Sequence, residues 1–126
     1  MANWTPESFI GQLFKTIGKH VPPPTGVKSP ALWGARSRLE ELFGASAKEI
    51  RTNSREFVFR YRSPAHWLEV FRNYYGPLLK AFAALGPASR TELERDLIAL
   101  IERFNRARDG SMVAPAEYLE VVVTRD

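Results

Sequence analysis

The sequence predicts a one-domain α+β fold, helices with a single apolar stripe packed on a small sheet. Apolar residues recur at helical spacing over four stretches, and two others alternate with a period of two or are β-branched throughout. Pro or Gly punctuates the junctions between them. The 126 residues, 44% hydrophobic and 25% charged, suit one globular domain that buries its own core.

Thr5-Pro6, Ser29-Pro30 and Ser63-Pro64 share one helix-start signature, a hydroxyl that accepts an orphan N–H followed by a Pro that has none to lose. Ser89 with Glu92 three residues on reads as a fourth start, a capping box. The first helix, Pro6 to Gly18, carries Phe9, Ile10, Leu13, Phe14 and Ile17 on one stripe. The second, Pro30 to Phe43, buries Leu32, Trp33, Leu39, Leu42 and Phe43 and stops at Gly44. A third starts at Pro64 with Trp67, Val70, Phe71 and Tyr74 on its stripe; Gly76-Pro77 breaks it, and "LLKAFAAL" resumes. The fourth presents Leu93, Leu97, Leu100, Ile101 and Phe104.

"REFVFRYR" reads as a strand with Phe57, Phe59 and Tyr61 on a buried face, and "KEIRTNS" before it as an extension. "EYLEVVVTR" reads as a strand covered on both faces. The two should lie adjacent and antiparallel, because the helices cover both apolar faces only if the strands share one sheet. Two strands alone are marginal, and Ala2-Asn3-Trp4, just before a Pro-started helix, has the look of a third strand's end. The arrangement expected is two layers.

The absence of cysteine excludes disulfides and thiolate metal sites, and the cytoplasm is the default compartment. No apolar run approaches the ~20 residues that span a bilayer, and no basic region followed by an apolar run opens the chain, so neither membrane insertion nor export is indicated. The net charge of +4 is spread among alternating acids and bases, a solvated surface more than a nucleic-acid stripe. Two distant histidines make no metal site, and no Walker-type loop, G-x-S-x-G or Ser/His/Asp arrangement is present.

The strings "NWTPESFIGQLF", "PPPTGVKSPALWG", "FRYRSPAHWLEVFRNYYGP" and "PAEYLEVVV" resemble the C-terminal part of class I S-adenosylmethionine-dependent methyltransferases, in the small-molecule group near the ubiquinone-biosynthesis type. The resemblance implies that residues 1–126 are the substrate and lid side of one domain, a fragment of a three-layer, Rossmann-like α/β fold. It makes Ala2 to Trp4 the tail of the fifth strand, "REFVFRYR" the sixth, parallel to it, and "EYLEVVVTR" an antiparallel seventh. The proline run then belongs to a stiff lid segment. The family's Gly-rich cofactor turn has no counterpart, for no two of the eight glycines stand at G-x-G spacing. S-adenosylmethionine is thus the cofactor of the intact enzyme and is not expected to bind this chain alone.

In such folds ligands bind outside the carboxyl ends of the parallel strands. There Trp4, Phe9, Ile10, Phe14, Trp33, Trp67 and Tyr118 would form an aromatic wall for a small hydrophobic or aromatic substrate, with His66 the candidate base. Each has a commoner structural fate: the stripe residues as core, a lone His as a hydrogen-bonded support. His20 falls in a loop and should be solvent-exposed. The first helix and the Pro-rich connection should be the least stably held part, with Phe9, Phe14 and Trp33 exposed and the edge at Ala2 to Trp4 open to a cofactor-binding half or a second copy. The alternative is a freestanding, non-enzymatic α+β module that binds a hydrophobic ligand or a partner protein.

Overall fold

A computed structural model describes residues 1–22, 26 and 30–125, with backbone alone for Pro30 and Ala31. In order the elements are β1 (Ala2–Trp4), α1 (Phe9–His20), a 3-10 helix (Pro30–Gly34), α2 (Arg36–Phe43), β2 (Ala47–Tyr61), α3 (Pro64–Tyr74), α4 (Gly76–Ala84), α5 (Pro87–Phe104) and β3 (Met112–Arg125). The three strands form one sheet in the order β1-β3-β2. Both outer strands run antiparallel to β3, and therefore parallel to each other. The last strand is thus the centre of the sheet. "KEIRTNS" does extend β2, so that its pairing with β3 runs from Ala47↔Arg125 to Tyr61↔Met112.

A Pro inside a central strand is normally disruptive, because it cannot donate to a ladder. Pro115 escapes by parity. Val113 receives the Arg106 N–H and Glu117 that of Thr5, while Val121 exchanges bonds with Met1, donating its N–H to the Met1 carbonyl and accepting from the Met1 amine, so the odd residues of β3 turn their backbone polar groups away from β2. Pro115 faces the same way, at a level that β1 does not reach, since its last pairs are Trp4↔Tyr118 and the Thr5 N–H to Glu117. The missing N–H is absent where no strand needs it.

Alternation along β3 also sets the layers. Met112, Ala114 and Ala116 are buried on one face with Phe9, Ile10 and Leu13 of α1, Trp67 and Leu68 of α3, Leu78 and Phe82 of α4 and Leu93 and Leu97 of α5. Leu119 and Val121, of opposite parity, are buried on the other face with Leu39 of α2, flanked by Phe43, Ile50 and Val123. Helices therefore lie on both faces, which corrects the two-layer expectation. The reading of the last strand as covered on both sides holds only in sections, for each face is covered at one end and Val122 is exposed.

The helix starts follow the sequence in one case and depart from it in two. Ser63 caps α3 as expected, accepting the His66 N–H at 3.0 Å with Pro64 at the first helical position. In α1 the cap is Ser8, which accepts the Gly11 N–H at 3.1 Å and donates to the Thr5 carbonyl at 2.7 Å. Thr5-Pro6 is the turn before it, because Thr5 is committed to β3. α5 begins one turn ahead of Ser89, with Gly86 at the cap and Pro87 first in the helix. The proposed cap Ser29 and most of the proline-rich connection lie outside the described residues. The helix expected from Pro30 to Phe43 is broken at Ala35, which is extended at φ −111° and ψ 126°. The break lets the 3-10 helix rest on the end of β1, where a Cβ on Gly34 would overlap the Trp4 carbonyl. The described part thus holds five α-helices where four were read.

Burial corrects several stripes. Phe9 is fully buried, and α1 is tied to α5 by its terminal His20, whose Nε2 meets the Asp96 carboxylate at 2.7 Å. Phe9 is therefore core where exposure was expected, and His20 is largely covered where a solvent-exposed loop position was expected. Trp33, at 41% exposed, does stand out as expected of it, and Leu42 is also exposed although both were read as core. On α3 Tyr74 is 84% exposed and its place against the core is taken by Tyr75, because the chain leaves the helix there and turns into α4.

Asn105 secures the return from α5 to β3. Its Oδ1 accepts the N–H groups of Ala107 and Val113, and its Nδ2 donates to the Ser111 carbonyl. Asn105→Ala leaves two part-buried donors and one acceptor without partners, so urea unfolding should show a loss of about 2 kcal/mol.

Candidate functional site

The sheet face that carries Ala114 and Ala116 also carries Trp4 and Tyr118, a directly paired couple, and Phe57 and Phe59, which pair with the two alanines. The outer strands lie about 10 Å apart across β3. Large side chains on the middle strand would keep their rings from meeting; alanines leave room. Trp4 accordingly reaches over β3 to Phe59 at 5.9 Å and Phe57 at 6.5 Å between ring centroids, while Tyr118 stands edge-on to it at 5.9 Å.

This cluster is not closed over. One hollow of about 290 Å³ is lined by Trp4, Ile10, Phe57, Phe59, Phe71 and Tyr75. Its neighbour, about 310 Å³, is lined by Ala2, Asn3, Trp4, Phe57 and Tyr118. Trp4 and Phe57 form the ridge between them, and Phe57 is 50% exposed. An aromatic ring half in water at the carboxyl end of β1 is the most ligand-ready feature of the chain.

The backbone beneath it is fixed. Thr5 donates its N–H to the Glu117 carbonyl at 3.1 Å and its Oγ1–H to the Glu117 carboxylate at 2.9 Å. Asn3 Oδ1 accepts the Trp4 N–H at 2.9 Å. With Gly34 against the Trp4 carbonyl, the outer edge of β1 is met by the 3-10 helix at this residue. A second close approach sits below: a Cβ on Gly11 would overlap the carbonyls of Thr5 and Pro6, so α1 can cross under the turn only with glycine there.

Of the residues expected at the wall, the structure brings together Trp4, Ile10 and Tyr118. Phe9 and Trp67 are core, Trp67 stacked on Phe71 at 4.1 Å with its Nε1 buried and unpartnered. Phe14 is a half-buried flank of the core. Trp33 packs on Phe43 of α2, at the other face of the sheet. His66 lies against Tyr61, which pairs with Met112, six residues along β3 from Tyr118. It is not among the residues that line either hollow. Phe57, Phe59, Phe71 and Tyr75 were missed as lining residues. The signal that could have found them is Ala-Pro-Ala at 114–116, a run of small residues opposite two phenylalanines.

The lining offers shape and apolar surface in place of acid–base chemistry. Its titratable groups are the phenols of Tyr75 and Tyr118, and burial pushes that of Tyr75 above its ordinary value, so it stays neutral. Among the described residues no group of three or more His, Cys, Asp or Glu is placed to hold a metal ion. No described helix is long and apolar enough to cross a membrane.

No family model matches the chain. It is similar to the uncharacterized protein Rv1403c of Mycobacterium tuberculosis, 30% identical over 106 residues that make up 81% of this chain and 39% of that protein. Uncharacterized protein Rv1405c of the same organism is 30% identical over 114 residues, 87% of this chain and 41% of that protein. Uncharacterized protein Mb1438c of Mycobacterium bovis is 30% identical over 106 residues, with 81% and 39% covered. The chain spans about two-fifths of the length of these relatives.

Two measurements probe the hollow. Ala116→Leu should fill the space that lets Trp4 meet Phe57, lowering stability in urea by about 1–3 kcal/mol and altering tryptophan emission. A raised phenol pKa favours folding below the unfolded value of about 10 and loses that contribution as pH climbs through the folded value. Stability of the parent chain should therefore fall above pH ~10 more steeply than that of Tyr75→Phe, which lacks the ionisable group.

Proposed function

We propose that the chain is the substrate-side portion of a class I S-adenosylmethionine-dependent methyltransferase, its aromatic hollow receiving a small hydrophobic or aromatic methyl acceptor. The observation that carries this reading is directional. Two parallel strands, β1 and β2, flank an antiparallel β3, with the hollow at the carboxyl end of β1. These are the relative directions that the resemblance implies for the fifth, sixth and seventh strands. The matched stretch is also a minor part of longer relatives, as suits one portion of a larger enzyme.

Methyl transfer from a sulfonium needs in-line alignment and exclusion of water more than proton traffic. Trp4, Phe57 and Tyr118 supply flat apolar walls that orient an acceptor, and the Thr5–Glu117 pair holds Trp4 in place. S-adenosylmethionine would be held by residues other than these, since no G-x-G turn occurs here. The enzyme would work in the cytoplasm.

One observation favours the second reading, a freestanding module that binds a hydrophobic ligand or a partner protein. The 3-10 helix already meets the edge of β1 at Trp4, so that edge does not wholly await a strand from a cofactor-binding half or a second copy.

Calorimetry separates the two. The chain alone should give no saturable heat with S-adenosylmethionine, whereas full-length Rv1403c should bind it. Micromolar cofactor binding by this chain would overturn the half-enzyme assignment, and no binding by the full-length relative would overturn the methyltransferase assignment.

A further inference from the structure

Where β3 begins lies an open hollow of different chemistry, lined by Arg60, Tyr61, Arg62, His66, Ser111, Met112 and Val113. Several arginines of the chain are engaged by neighbours, and others are not. Arg36 meets Glu40, Arg38 meets Glu41, Arg55 meets Glu120, Arg106 approaches Glu56, and Arg90 donates to the Phe82 carbonyl. Arg60 and Arg62 have no carboxylate within ion-pair distance among the described residues, although they share one concavity.

His66 adds a third donor. Its Nδ1 is buried without a partner, so the proton is best placed on Nε2, the nitrogen left for the hollow. The start of α3 adds little, because Ser63 already takes the N–H groups of His66 and Trp67. The nearest acid on the β3 side, Asp109, accepts both the N–H and the hydroxyl of Ser111. Those bonds hold its carboxyl below the usual range, so it remains an ionised neighbour against which an anion must compete.

We propose that Arg60, Arg62 and His66 form a binding site for a dianionic phosphate group, of free phosphate or of a small phosphate monoester. Two unpaired guanidinium groups match the charge of a dianion and can each donate two N–H bonds to its oxygens. The imidazole contributes one more donor through Nε2. The aromatic ring of Tyr61 beside His66 gives a monoester's organic part a surface to lie on. The site is separate from the aromatic hollow and stands whether or not the chain belongs to a methyltransferase.

The test titrates the chain, at fixed ionic strength and pH 7.5, with inorganic phosphate, phenyl phosphate and a short single-stranded oligonucleotide. It follows the side-chain NMR signals of His66 and the arginines. Saturable shifts at His66, Arg60 and Arg62 are expected with both small phosphates, weakened roughly tenfold or more in Arg60→Gln/Arg62→Gln. Arg95→Gln, an exposed arginine elsewhere, should leave them unchanged. Tighter binding of phenyl phosphate than of phosphate would assign the site to monoesters; equal binding would assign it to free phosphate. Absence of saturation with either, equal weakening by Arg95→Gln, or binding of the oligonucleotide alone would overturn the proposal, the last in favour of a nucleic-acid surface.

Discussion

The structure depends on what β3 puts on each face at each level. Its small residues, Ala114 and Ala116, lie on the face where α1, α3, α4 and α5 pack, and its larger ones, Leu119 and Val121, on the face taken by α2. If the small residues stood on the second face, α2 would have nothing to bury against. If the large ones stood on the first, the rings of β1 and β2 could not meet. A shift of one residue in the pairing would exchange the two sets, so the long register with β2 specifies the layers as well as the sheet.

The aromatic cluster shows how a closed core passes into an open site without a boundary in composition. Phe59 contacts Trp4, Phe9, Trp67 and Phe71, and is buried; Phe57, two residues before it on the same face, contacts Trp4 and Phe59 and is half in water. The difference lies in what stands above each. α3 covers Phe59 through Trp67 and Phe71, whereas the rings that meet Phe57, those of Trp4 and Phe59, lie on strands. Ring–ring contacts of this kind add about 0.5–1.5 kcal/mol each beyond area burial, so the inner members hold the outer ones in place. The exposed ring is then a stiff wall, which suits selection of a ligand by shape.

Much of the fold was legible because it rests on local chemistry. The Ser63-Pro64 start, the Gly76-Pro77 break, the α5 stripe and the adjacency of the two long strands follow from capping, from proline sterics and from periodicity. What was misread depends on long-range fit. Thr5 looks like a helix cap in isolation, but its backbone and hydroxyl are claimed by Glu117, 112 residues away. The 30–43 stretch is one amphipathic helix by pattern, yet it breaks at Ala35 so that Gly34 can approach Trp4. The candidate wall suffered in the same way: Phe9, Trp33, Trp67 and Tyr118 are equally aromatic in sequence, and only the sheet face and the overlying helices decide which of them meets solvent.

The two hollows divide the chain's surface chemistry along one axis. Near Trp4 the lining is aromatic and has no cation or carboxylate of its own; near His66 it is basic, and Asp109 on the β3 side is already engaged by Ser111. The separation follows from the strand lengths. β1 ends after three residues, whereas β2 carries on to Tyr61, so the carboxyl ends of the two parallel strands are staggered along β3. The basic end shares no lining residue with the aromatic end and calls for a ligand of its own chemistry, while the rings of the aromatic end supply positioning.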